Sequence, residues 1–145
     1  METVSNSHHY FFNLPYKARI GIDIIRISRI KKAVDRSGKT FLRKVYTDRE
    51  LELGTDVEHL AMRFAGKEAV FKALRITWEG DMGMKDIEIL RGEYGEPVVI
   101  LHGKIKEIAS RLKVADIALS LSYDLDYAVA CAIVLYTHNT EQDLV

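Results

Sequence analysis

Two carboxylates stand out because their neighbours are apolar. Glu68 lies in a stretch whose apolar residues recur at helical spacing. At about 100° per residue it falls inside the arc lined by Leu60, Phe64 and Phe71, between Val57 and Ala61. A carboxylate among core positions is expensive unless it is paired or meets a cation. A Glu68–Lys72 pair at i,i+4 is the simple solution. Asp23 repeats the anomaly on a strand, amid Gly21, Ile22, Ile24 and Ile25, where an edge or cap aspartate is the simple reading. The other reading brings the two acids together on one hard cation. Magnesium suits that arrangement: it takes oxygen ligands, keeps waters and is usually completed by substrate phosphate. Arg63, Lys67 and Lys72 add positive charge along the same helix, as a pyrophosphate substrate requires.

The elements that must position these groups are legible from period and punctuation. Arg19 to Ile25 reads as a strand with Ile20, Ile22 and Ile24 on one face and Gly21, Asp23 and Ile25 on the other. Ser28 to Val34 reads as a helix stopped by Ser37-Gly38, and Phe41, Leu42 and Val45 mark a second short piece. Thr47-Asp48-Arg49-Glu50 has capping-box form, with Gly54 the stop of the helix it starts. Asp56 is the expected N-cap of the longest helix, Val57 to Leu74, where Ala61, Ala65 and Ala69 allow another backbone to approach. After a connection holding Trp78, strands are expected at Asp86 to Leu90 and Val98 to His102, joined by a turn at Gly92 to Gly95. A helix over Lys104 to Leu112 precedes a hairpin of Ile117 to Leu121 and Tyr127 to Tyr136. The last strand is apolar on both faces and must be buried in the sheet or at a subunit interface. Helices and strands mix without a regular βαβ repeat, which predicts α+β with a mainly antiparallel sheet.

Composition narrows the classes. The chain has 145 residues, 48% hydrophobic and 29% charged, enough for one domain that folds without a staple. Lysine plus arginine equals aspartate plus glutamate at 21 each, which argues against a nucleic-acid or polybasic membrane binder. The single cysteine, Cys131, excludes a disulfide framework and reads as core. No apolar run is long enough to span a bilayer and no signal core is present, so the expected location is cytoplasmic. Residues 1–17 read as an arm, with His8-His9 and an aromatic trio that tucks against the domain or a neighbour. Residues 18–137 read as the single domain and 138–145 as a tail.

The motifs resemble the holo-acyl-carrier-protein synthase family of small 4′-phosphopantetheinyl transferases. The match runs through Gly21-Ile22-Asp23-Ile24, then Ser28-Arg29-Ile30. It continues in the signature helix Arg63-Phe64-Ala65-Gly66-Lys67-Glu68-Ala69-Val70-Phe71-Lys72-Ala73-Leu74, in Asp86-Ile87-Glu88-Ile89 and in Gly95-Glu96-Pro97. Ser120-Leu121-Ser122 and Tyr127-Ala128-Val129-Ala130 close it. The resemblance implies the 4′-phosphopantetheinyl transferase-like fold. It also implies transfer of the phosphopantetheine arm of coenzyme A to a serine of an apo-acyl carrier protein, with adenosine 3′,5′-bisphosphate released. By resemblance, Asp23 and Glu68 hold Mg2+ and Lys72 steadies the β-phosphate. Arg63, Lys67, Gly95, Pro97, Ser120, Ser122 and Tyr123 are the expected coenzyme A contacts. The proton acceptor is Glu68 or a water on the ion. Ser120 and Ser122 bind phosphate or satisfy the hairpin.

Members of the family commonly form homotrimers with coenzyme A between subunits. Their carriers are acidic. Arg26, Arg29, Lys31, Lys32, Arg36, Lys39, Arg43 and Lys44 form a local cationic run here, with Arg29 and Lys44 at carrier-docking positions. Fatty-acid, polyketide and peptide-synthesis carriers all remain open. Two departures mark this chain. Arg75-Ile76-Thr77 replaces the usual Gly-Thr-Gly turn, and Tyr123 stands where the family usually has histidine. They motivate an alternative, a relative that binds carrier or coenzyme A without transfer. His59 and His102 read as structural or solvent-facing.

Overall fold

The structure, a computed structural model, describes residues 16–137. The expected N-terminal arm and C-terminal tail, with His8-His9 and the aromatic trio, lie outside the described residues, except that Tyr16 and Lys17 belong to the first strand. That strand, β1, runs Tyr16–Arg26 and pairs antiparallel with β5, Tyr127–Thr137, which pairs antiparallel with β4, Val114–Asp124. The doubly apolar β5 is therefore the central strand of a three-stranded sheet, as its sequence requires. β2, Ile87–Arg91, and β3, Pro97–Leu101, form a separate antiparallel pair. The α+β class and the antiparallel pairing agree with the sequence reading.

Helix α1, Ile27–Val45, is broken at Gly38, whose φ of 47° and ψ of −123° leave the helical region, so the two expected pieces are both present. α2, Asp48–Glu52, begins with the expected capping box: Glu50 N–H donates to Thr47 Oγ1 and Thr47 N–H donates to the Glu50 carboxylate. α3, Val57–Leu74, starts where expected, but Asp56 makes no side-chain cap. Its carboxylate turns instead to His59 Nδ1, which competes for the same oxygens. Asp86 falls in a 3₁₀ turn, Met84–Asp86, rather than in β2. α4 spans Gly103–Arg111.

α3 is the centre of the fold. Leu60, Ala61, Ala65, Ala69, Val70, Phe71, Ala73 and Leu74 are all buried, so its apolar surface faces the sheet on one side and the other elements on the rest. The alanine stripe does what small residues allow. At Gly21 a Cβ would lie 2.0 Å from Ala69 O and 2.6 Å from Ala73 N, so β1 lies directly on α3. The turn after α3 is kept without glycine: Arg75 itself takes the left-handed conformation, φ 53°. Phe71 stacks on Trp78 at 4.0 Å between ring centroids and ties the following connection back to the helix.

Candidate active site

Alternation on β1 decides which groups meet. Gly21, Asp23 and Ile25 face α3, while Ile20, Ile22 and Ile24 face outward. Asp23 is thereby placed beside Glu68 and Lys72 on α3. Lys72 Nζ lies 2.8 Å from Asp23 Oδ1 and donates to Ile22 O at 3.0 Å. The lysine thus bridges helix to strand instead of pairing with Glu68 at i,i+4. Glu68 is half-buried, and its carboxyl is pushed above the usual carboxylate range by burial first and by the Asp23 charge second, with Lys72 offsetting part.

Two carboxylates that repel each other across a strand–helix seam fit a hard divalent cation, which would relieve both the burial cost and the repulsion. Among the described residues no group of three or more His, Cys, Asp and Glu side chains gathers at one point. A metal held by Asp23 and Glu68 would need the remaining oxygens from water and a substrate phosphate, which is how magnesium is commonly held.

About one and a half turns toward the N-terminus of α3, roughly 7–8 Å along its axis, Arg63 opens onto a cleft of about 220 Å³. Gly95 and Pro97 line the same cleft from the β2–β3 hairpin, with Arg91, His59, Ile89 and Leu121. Gly95 takes φ 85° in that turn, a conformation glycine adopts without strain. Three residues expected to contact the cofactor therefore meet here. Arg63 is nevertheless 5% exposed and already donates to the carbonyls of Glu50, Gly54 and His59. Burial lowers its affinity for its proton, and Glu50 opposes that.

Lys67 corrects the sequence reading. It is fully buried, and Nζ donates to Glu50 Oε2 at 2.8 Å, Met84 O at 3.0 Å and Ile87 O at 2.6 Å. All three of its N–H bonds are spent inside the protein, so it has none to offer a nucleotide. Its role is to hold α2, α3 and the start of β2 together. Burial pulls its proton affinity down, and the Glu50 carboxylate supports the charge. Glu50, also fully buried, accepts from Ile89 N at 2.9 Å. Sequence missed this pair because no local spacing joins the α3 lysine to the capping-box glutamate of α2, 17 residues earlier.

Ser120 and Ser122 share one face of β4, as expected, but it is the face turned away from α3. In register they lie beside Cys131 and Val129, and so beside Ile22 and Ile24. Leu119 and Leu121 take the inner face, where both reach Gly66 of α3. Within one chain the two serines therefore do not join Asp23 and Glu68. Tyr123 pairs with Ala128 at the inner end of the hairpin, and its ring centroid is 6.3 Å from that of His59. His59 lines the cleft with its side chain 44% exposed, in keeping with the solvent-facing alternative. His102 stays structural: Nε2 is 3.2 Å from Glu88 Oε1, and Glu88 also receives Arg49 at 3.1 Å and the hydroxyl of Thr47. Arg29 and Lys44 are both exposed on α1.

Comparison with known proteins gives the family and the fold. The family model of the 4′-phosphopantetheinyl transferase superfamily matches residues 19–132. A holo-acyl-carrier-protein synthase of Thermoanaerobacter sp. is 41% identical over 120 residues, covering 80% of this chain and 86% of its own. The crystal structure of the Helicobacter pylori synthase in complex with coenzyme A superposes with a TM-score of 0.72 at 33% identity, over 79% of this chain and 98% of that one. The Plasmodium yoelii synthase gives 0.74 at 31%, over 86% and 100%. By sequence and by fold, the chain belongs to the 4′-phosphopantetheinyl transferase superfamily.

Proposed function

We propose that this chain is a holo-acyl-carrier-protein synthase, moving the 4′-phosphopantetheine of coenzyme A onto a carrier-protein serine. The observation that supports it most is the convergence of Asp23, Glu68 and Lys72 at the β1–α3 seam, beside a cationic cleft on the same helix. Asp23 and Glu68 would hold Mg2+, whose charge would neutralise the pyrophosphate. Lys72 is about half exposed, so its ammonium is free to swing from Asp23 to the β-phosphate. The serine oxygen forms a bond to the β-phosphorus as the bond to adenosine 3′,5′-bisphosphate breaks. The hydroxyl proton would pass to Glu68 or to a water that the ion would hold. The protein needs no nucleophile of its own, since phosphoryl-type transfer depends on position and charge. The nucleoside end of coenzyme A lies in the cleft of Arg63, Gly95 and Pro97. The exposed cations of α1, Arg29 and Lys44 among them, meet an acidic carrier.

The outer sheet face supports a second element of the reading. Ile20, Ile22 and Ile24 are 66%, 61% and 65% exposed, and Ile133 continues the apolar patch on β5. We assign this face to contacts between copies of the chain, three as the family resemblance implies. Such an arrangement lets Ser120 and Ser122 serve a neighbour's coenzyme A. The direct test is mass spectrometry of an apo-carrier incubated with the protein, coenzyme A and Mg2+. A gain of one phosphopantetheine arm is expected. Binding of coenzyme A with no gain across fatty-acid, polyketide and peptide carriers would make the chain a non-catalytic relative.

A further inference from the structure

An exposed tryptophan stands beside the reacting centre. Around the helix axis, Phe71 lies about 60° to one side of Glu68 and Lys72 about 40° to the other. Lys72 turns to Asp23 on β1, so Phe71 flanks the site on the side away from that strand. Phe71 is buried, and its ring carries the Trp78 indole at 4.0 Å between centroids and 13° between planes. Trp78 nevertheless remains 42% exposed. A large ring that is open to solvent and already fixed against a buried one is a preorganised anchor, because contact costs it little conformational entropy. The exposed charges nearest in sequence are Arg75, Glu79 and Asp81. They give an acidic partner no net attraction, so the patch offers apolar contact.

The direction of the reaction decides which partner meets it. Attacking and leaving oxygens lie roughly in line across the phosphorus. With the nucleoside in the Arg63 cleft, the leaving oxygen points toward the N-terminal half of α3. The carrier serine therefore enters from the C-terminal side of Glu68. Phe71, with Trp78 stacked on it, lies there, about 4.5 Å further along the axis. We infer that Trp78, braced by Phe71, is an apolar anchor for the acyl carrier next to its reacting serine. The inference rests on the transferase reading, and it adds to the cations of α1 a contact that salt does not screen.

Trp78 is the one tryptophan in the sequence, so its emission reports this residue alone. The test titrates the full chain with a tryptophan-free apo-carrier whose reactive serine is replaced by alanine, and separately with coenzyme A and Mg2+. The carrier should shift the emission to the blue and lower acrylamide quenching several-fold. Coenzyme A alone should leave both unchanged. In steady-state kinetics Trp78→Ala should raise KM for the carrier about tenfold, to the same extent at low and high salt, with KM for coenzyme A unchanged. Trp78→Phe, which keeps a ring on Phe71, should recover part of that loss. Wild type that modifies a carrier while its emission stays unmoved by the alanine form overturns the inference alone. So does an emission shift produced by coenzyme A without carrier, which gives the indole to the pantetheine arm. Wild type that modifies no carrier overturns the transferase reading and this inference with it.

Discussion

Gly21→Ala probes the contact on which the site is built. The added Cβ would sit 2.0 Å from Ala69 O, 2.6 Å from Ala73 N and 3.0 Å from Ala69 C, all backbone atoms of α3 that no rotamer change can move. Ordinary contact begins near 3.4 Å. β1 must therefore retreat from α3 by about 1.4 Å, an overpacking cost of about 1–3 kcal/mol. In a domain of this size that lowers the melting temperature by about 2–12 °C. Asp23 is two residues away on the same face and moves with the strand, away from Glu68 and Lys72. A displacement of that order costs a well-oriented reaction about a hundredfold in rate. Thermal melting followed by circular dichroism reads the first effect. Initial rates of carrier modification, measured well below the new melting temperature, read the second. A Gly21→Ala protein that melts with wild type and transfers within about twofold of it would refute the reasoning.

Other perturbations separate the parts of the account. Lys67→Met leaves Glu50 buried without its cation and should cost about 3–5 kcal/mol. Adding Glu50→Gln should recover part of that in a chemical-denaturation series. Glu68→Gln should abolish transfer yet remove a stability penalty. Because the folded Glu68 carboxyl holds its proton above the ordinary carboxylate range, folding stability falls as pH rises through the window between the two values. The variant should therefore gain on wild type in urea titrations as pH rises from the ordinary carboxylate range toward the folded value. Ile22→Asp places a charge on the outward sheet face and should shift the protein to monomer in light scattering, with folding intact. Arg29→Glu combined with Lys44→Glu should raise KM for the carrier several-fold, most at low salt, and leave KM for coenzyme A unchanged.

Local chemistry was readable wherever it depended on neighbours in sequence. The Thr47–Glu50 capping box, the break at Gly38, the long α3 helix and the doubly apolar β5 all follow from spacing a few residues long. Asp23 and Glu68 were legible because each violates the pattern around it, a carboxylate where an apolar residue belongs. Partners brought together by tertiary structure were not. Lys72 closes on Asp23 rather than on Glu68 one turn away, since β1 lies against that face of α3. Lys67 finds acceptors at Glu50, Met84 and Ile87 that no periodicity reveals. Alternation put Ser120 and Ser122 on one face, but only the pairing of β4 with β5 shows which face meets α3. Asp56 had cap form, and His59, three residues on, took its carboxylate instead.

The central claim is that Asp23 and Glu68 share one divalent ion with the substrate pyrophosphate. Its sharpest test compares wild type with Asp23→Asn in calorimetric binding of coenzyme A, with and without Mg2+. Wild type should gain affinity when Mg2+ is added, and Asp23→Asn, while still folded, should lose most of that gain. Equal Mg2+ dependence in both proteins would contradict the account.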